Sequence, residues 1–213
     1  MQDLKIALIG ATGKAGTYIL NALLAQNYQV KALIRNPEKL QIHHVSLEVV
    51  IGDVKESDTV HALIEGCNIV VSALGMGQPA SEKTIFTKAT ENILIAMHNF
   101  DLKRYIAITG INVDTPVDQK DAKTQFATKW MYENYPVSTA NRQREYDMLA
   151  QSSIDWTLVR LPMIIQTAGT TGIGQSLINC KGEQINAANL AQFIIKELAE
   201  CAFAKRAPFI WNG

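Results

Sequence analysis

Apolar and polar positions alternate in blocks along this chain. Leu4 to Ile9 is a nearly continuous apolar run; after Gly10, Gly13 and Gly16, the residues Tyr18, Ile19, Leu20, Leu23 and Leu24 take up helical spacing. Continuous apolar runs suit parallel strands buried on both faces, whereas recurrence every three to four residues suits an amphipathic helix. The pattern predicts further strands over Gln29 to Ile34, Leu47 to Ile51, Asn68 to Leu74 and Tyr105 to Ile108. Between them it predicts a short helix over Asp58 to Glu65 and a long one opened by Pro79, whose positions Ile85, Phe86, Ala89, Ile93, Ala96, Met97 and Phe100 keep helical spacing. Strands alternating with helices predict an α/β fold of the Rossmann type, a doubly wound parallel sheet. Ligands of such sheets bind beyond the carboxyl ends of the strands. The crevice should therefore be built from Gly10 to Gly16, Arg35-Asn36, Gly52 to Val54, Ala73 to Gly77 and Thr109 to Asn112.

Past the fifth strand the regular pattern breaks. Asn112 to Lys129 is polar and mixed in charge, and Trp130 to Pro136 concentrates aromatic residues. A loop of this length is expected to be a lid over a flat ring, or to be pinned to the core by its own rings. A helix over Val137 to Gln151, a strand over Ile154 to Pro162, a Gly/Thr-rich turn region over 167–175 and a short strand over Ser176 to Cys180 should follow. The last elements expected are a helix over Leu190 to Ala199, capped by Asn189, and a strand over Pro208 to Trp211. This organisation reads as one domain over 1–213, with 112–136 and 163–189 as substrate-cap segments and no full second domain.

Composition narrows the classes. Twenty basic residues balance twenty acidic ones, which leaves no electrostatic footprint for nucleic acid or an anionic membrane. The three cysteines, Cys67, Cys180 and Cys201, lack metal-ligand spacing and read as buried thiols in a reducing compartment. No apolar run approaches the roughly 18 residues of a membrane span, and the first strand begins within about four residues, too soon for a signal peptide; a cytoplasmic protein is expected.

The candidate chemistry begins at the first turn. Glycines there let the backbone bend and let a phosphate approach, and the unpaired N–H groups of the following helix, at the positive end of its dipole, make an anion site. The spacing here is G-x-x-G-x-x-G rather than G-x-G-x-x-G. At the end of the second strand, where a carboxylate would hold the ribose hydroxyls of NAD, this chain has Arg35 and no acid. Arg35 either receives the 2′-phosphate of NADP or simply ends a strand at the surface; the first reading makes NADP(H) the expected cofactor, ahead of NAD(H).

Three stretches, Gly10-Ala11-Thr12-Gly13-Lys14-Ala15-Gly16, Arg35-Asn36-Pro37-Glu38-Lys39 and Gly52-Asp53-Val54, resemble the atypical short-chain dehydrogenase/reductase family. This group includes the biliverdin reductase B or flavin reductase type, the NADH-flavin reductases and the NmrA-like redox sensors. Ala89 to Leu94 resembles the family's G-T-x-N stretch, Ile154 to Pro162 its L-D-W-T-x-x-R-P stretch, and Ile185 to Ala191 its I-S-x-x-D-x-A stretch with Asn189 for Asp. The resemblance implies that the glycine turn holds the pyrophosphate, Arg35 the 2′-phosphate, and Asp53 the adenine side. It further implies a structural role for Asn92 and a nicotinamide pocket walled by Leu161, Pro162 and Met163. The crevice reading adds Val54, Ala73, Leu74, Gly75 and Thr109 to the cofactor contacts.

The wider family's proton shuttle, Tyr-x-x-x-Lys, uses a lysine to lower the tyrosine pKa. None of the six tyrosines here has Lys four residues later, and with Glu145 aligned to the family's glutamate the pair becomes Val137 and Asn141. Thr109 is the hydroxyl left at the fifth strand's end, as a catalytic contact or as a strand-end residue with a local bond; Arg142 is a weaker candidate for an anionic group. His43, His44 and His98 have no nameable partner. The function expected is an NADP(H)-dependent reductase acting on a flat conjugated acceptor such as a flavin or quinone. The rival is a non-catalytic NmrA-like sensor with a protein partner, and an epimerase-like enzyme on small sugars ranks last.

Overall fold

The computed structural model describes residues 4–77, 80–169 and 171–213. Strands β1 (Lys5–Ile9), β2 (Gln29–Ile34), β3 (Leu47–Ile51), β4 (Ile69–Ser72), β5 (Arg104–Gly110), β6 (Asp155–Leu161), β8 (Ile173–Ser176) and β10 (Phe209–Asn212) form a sheet in the order β3-β2-β1-β4-β5-β6-β10-β8. All its pairs are parallel except β10 with β8. The order reverses between β1 and β4, so the carboxyl ends of these two neighbours diverge into loops on opposite faces and leave a crevice. A separate parallel pair joins β7 (Met163–Ile165) to β9 (Gln184–Asn186).

Strand residues alternate between two cores. Ile6 and Leu8 of β1, Val71 of β4, Ile106 of β5 and Val159 of β6 pack with Ile19, Leu20 and Leu23 of α1 (Gly16–Ala25) and Leu190 and Ile194 of α6 (Ala187–Glu200). Ala7, Ile9, Val70, Tyr105 and Leu158 face the other way, onto α2 (Ser57–Ile64), α3 (Ile85–Asn99) and Leu149 of α5 (Pro136–Gln151).

The expected lid is largely helical: α4 (Ala122–Asn134) occupies most of it. Its start is fixed by Asp121, whose carboxylate accepts from the Thr124 N–H at 2.8 Å, and Pro136 opens α5 directly afterwards. The helix was hidden because Thr124 is its one buried residue, so its sequence shows no apolar period. Other boundaries shift too. The long helix starts at Ile85, and Pro79, expected to open it, lies outside the described residues. β8 precedes the expected 176–180 strand because Ser176 Oγ accepts from the N–H groups of Ile178 and Asn179 and turns the chain there.

Asn189 is not a cap. The cap position of α6 is Asn186, while Asn189 lies wholly buried inside the helix, donating to Thr171 Oγ1 at 2.9 Å and Asn212 Oδ1 at 3.0 Å. Cys67 and Cys180 are buried as expected and Cys201 is exposed; burial pushes the Cys67 thiol up to about 11.

Candidate functional site

The strand ends around the reversal point enclose a cleft of about 730 Å³. Its lining includes Gly10, Thr12, Gly13, Lys14 and Ala15 after β1, Arg35 after β2, Asp53 and Val54 after β3, Ala73 to Gly75 after β4, Thr109 at β5, and Leu161 and Pro162 at β6. Ala11 is in the core at 1% exposure, and Gly16 is the buried first residue of α1; both stand behind the lining. Met163, expected in the wall, is 67% exposed, and Ile164 lines the cleft instead, because the residues of β7 alternate sides.

The first turn leaves no room for side chains at its ends. Gly10 has φ +80°, and a Cβ on it would lie 2.6 Å from the Ala73 carbonyl oxygen, just past β4. A Cβ on Gly16 would lie 1.9 Å from the Gly10 carbonyl oxygen. The turn is closed by the Gly13 N–H donating to Gly10 O at 3.0 Å. α1 has neither a side-chain cap nor an acid in its first turn, so its positive end is uncompensated by protein charge.

At the other strand ends polar side chains fix the loops. Arg35 Nη1 donates to Ser81 Oγ at 2.8 Å, across the cleft mouth from β2 to the segment before α3. Asn36 accepts from the Glu38 N–H and starts the 3₁₀ turn Pro37–Lys39, which brings Lys39 to the same lining. Asp53 Oδ1 accepts from the Lys55 N–H at 3.0 Å. Asn92 donates to the carbonyls of Val54 and Lys55 at 3.0 and 2.9 Å, pinning that loop to α3 as a structural residue. Met76 lines the cleft within the expected Ala73 to Gly77 loop, and Lys39, Ser81 and Ile85 line it too without having been expected there. For Lys39 the signal was its place in the Arg35 to Lys39 stretch; Ser81 carried none.

Thr109 is 4% exposed, and its hydroxyl has no hydrogen-bond partner among the described residues. A buried hydroxyl left unpaired costs free energy; Thr90 and Thr167 carry such hydroxyls too, and of the three only Thr109 is in the cleft lining. Arg142 lines the cleft and is held in one position. Its Nη2 donates to Leu74 O at 2.6 Å, its Nη1 to Ile108 O at 3.2 Å and to Glu145 at 2.8 Å, and its guanidinium lies 3.4 Å over the Phe86 ring. Burial pushes the Glu145 carboxyl above its usual range, and Arg142 opposes that shift. Asn141, at the lysine position of the proton shuttle, accepts from the N–H groups of Phe86 and Thr87 and so caps α3. Val137 is 47% exposed, outside the cleft. The aromatic group settles elsewhere: Trp130 and Tyr135 meet edge to face at 5.7 Å, both largely exposed and neither in the lining.

A parallel sheet reversing at its centre, a glycine turn feeding an uncapped helix and a deep cleft across the strand ends define an α/β dinucleotide-binding protein. The chain belongs to the NAD(P)H-binding family, whose model matches residues 10–200. It is 25% identical over 208 residues to YwnB, an uncharacterized protein of Bacillus subtilis (strain 168), covering 92% of each chain. It is 25% identical over 146 residues to divinyl chlorophyllide a 8-vinyl-reductase of Arabidopsis thaliana, covering 61% of this chain and 35% of that protein. A short-chain dehydrogenase/reductase of Veillonella parvula, solved in complex with NADP, superposes with a TM-score of 0.80 at 14% identity, covering 98% of this chain and 94% of that one. Among the described residues no helix is long and apolar enough to cross a membrane, and no cluster of metal-ligating side chains is found.

Proposed function

We propose that the protein is an NADP(H)-dependent reductase that passes hydride to a flat conjugated acceptor, such as a flavin or quinone, in the cytoplasm. The observation that carries this reading is the continuity of the cleft, which runs from the cations Arg35 and Lys39 to an apolar end at Leu161, Pro162 and Ile164. The residues present fit the cofactor. The Gly10 to Gly16 turn and the uncapped start of α1 would hold the pyrophosphate, Arg35 the 2′-phosphate, Asp53 and Val54 the adenosine, and Ala73 to Gly75, Thr109 and Pro162 the nicotinamide. Thr109 has one hydroxyl hydrogen to donate, unpaired among the described residues, and it suits either the nicotinamide amide or an acceptor oxygen.

The bound nicotinamide would supply hydride. The chain's own contribution is to hold donor and acceptor face to face and to exclude water, which makes transfer effectively unimolecular. Two comparisons support the reading without deciding it: the Veillonella structure is described as an NADP complex, and the Arabidopsis relative is named a vinyl-reductase.

Mixing purified protein and NADPH with a panel of flavins, quinones and tetrapyrroles, while following the reduced-nicotinamide absorbance, tests the proposal. Acceptor-dependent loss of absorbance is expected. Tight NADPH binding with no oxidation by any acceptor would hand the site to the sensor reading.

A further inference from the structure

We infer that the apolar end of the cleft is a receptor for planar delocalised anions, with Arg142 as its fixed cation and Thr109 as its hydrogen-bond donor. The inference rests on the reductase reading, since such an anion is what a conjugated acceptor becomes on taking hydride.

Arg142 lines the cleft, with 14% of its side chain exposed. Its bonds to Leu74 O, Ile108 O and Glu145 use three of the five guanidinium N–H groups. Together with the Phe86 ring they hold the cation in one place, so a ligand does not have to order it. Glu145 is 2% exposed and does not line the cleft, so the pole of this ion pair that meets a ligand is the guanidinium. Thr109 follows Ile108 directly, and its buried hydroxyl is unpaired. The walls beside them, Leu74, Leu161 and Ile164, are apolar, and a charge contact in such surroundings is stronger than in water.

The titratable groups in the lining are Lys14, Arg35, Lys39, Asp53 and Arg142; no His, Cys, Tyr or Glu is among the described lining residues. Arginine does not give up its proton. A neutral acceptor that receives hydride gains one hydrogen and two electrons and becomes an anion, while the donor is left one unit more positive. Apart from Lys14 in the glycine turn and Lys39 at the Arg35 end, no charged group of the lining can give up a proton to it, and the anion held at Arg142 takes its proton from water on release. The substrate class is thereby narrowed to acceptors whose reduced anion is spread over a ring system. Simple ketones and aldehydes, which yield a localised and strongly basic alkoxide, are excluded.

A purely structural Arg142, tying β4 to β5, would confer no such preference, and this separates the two roles. The test saturates the protein with NADP⁺, which occupies Arg35 and Lys39, and titrates it with 4-nitrophenolate and with its neutral analogue 4-nitroanisole. Wild type should bind the anion at least about tenfold more tightly than the neutral ring. Arg142→Lys should keep most of that preference. The double variant Arg142→Gln/Glu145→Gln, which removes the pair without leaving a lone buried carboxylate, should lose it in protein that circular dichroism shows to be folded. Thr109→Val, free of any change in charge, should weaken the anion in part. No preference in wild type, or a preference that survives both in the double variant and in Thr109→Val, would overturn the inference. Anion preference without NADPH oxidation by any acceptor would keep the receptor and refute the reductase; oxidation without anion preference would do the reverse.

Discussion

Under the proposed function the choice of cofactor rests on Arg35. A carboxylate at the end of β2 would repel a 2′-phosphate, and a guanidinium attracts it. Arg35→Ala should weaken NADPH by about 1.5–3 kcal/mol, as for a charged hydrogen bond, and leave NADH nearly unchanged, as measured by titration calorimetry. Equal losses for both would remove the assignment. Glu145 makes a prediction about pH. Burial holds its carboxyl above the usual 4.5, so above that pH the folded state retains a proton that the unfolded state has lost. Stability then falls as pH rises from 4.5 to the raised value and levels off beyond it. Glu145→Gln has no such slope, so wild type should lose ground to the variant across that interval in urea melts; a constant difference would show an unshifted carboxyl. Arg160, wholly buried, donates to both oxygens of Asp118 and to the carbonyls of Val113, Leu177 and Ala207. Arg160→Met should cost about 3 kcal/mol in urea melts, because it takes the guanidinium from the largely buried Asp118 carboxylate, which among the described residues keeps only Thr115 and the more distant Lys120, and removes a donor from the Leu177 and Ala207 carbonyls. At this scale the sequence is legible where chemistry is local, as at Arg35 and the glycines. It is silent where partners are distant: nothing beside Asn189 or Arg142 announces Thr171, Asn212, Leu74 or Ile108.

Among the elements, the turn into α1 separates fold from ligand. Gly16→Ala puts a methyl group where the Gly10 carbonyl stands and should displace the whole turn, lowering Tm. At Gly13 a Cβ would lie 3.2 Å from the Gly10 carbonyl oxygen, a tight contact but a far smaller overlap than at Gly16, so Gly13→Val should lower Tm less than Gly16→Ala and lose dinucleotide affinity through the space its side chain takes. A Gly13→Val protein that binds both cofactors like wild type would put the turn outside the site. Elements that bury an apolar stripe, such as β1, α1 and the body of α3, could be read from the sequence within a few residues. α4 could not, since a helix that buries only Thr124 leaves no periodic trace. The pair β7 and β9 was missed for a different reason: three-residue strands are too short to alternate visibly.

For the whole molecule, the strand order brings six separate loops to one cleft, and the alternation of blocks predicted that convergence even where boundaries moved. It did not predict which side chains fill the space between loops, because that depends on how α3 and α5 pack. The tyrosines illustrate the consequence. Tyr135 is 53% exposed at the junction of α4 and α5, and Tyr146 stands edge-on to Trp156; neither lines the cleft. Tyr135→Phe and Tyr146→Phe should each keep more than about a tenth of wild-type kcat, a barrier change below about 1.4 kcal/mol. Loss of a true general acid would cost about 10²–10⁴-fold. The account as a whole is tested most directly by the ratio of kcat/KM for NADPH to that for NADH, measured on the wild-type protein with one flavin or quinone acceptor. The cleft predicts oxidation of both reduced nucleotides with NADPH favoured by at least about tenfold, the kinetic form of the Arg35 contact. Preference for NADH, or no oxidation of either, would contradict it.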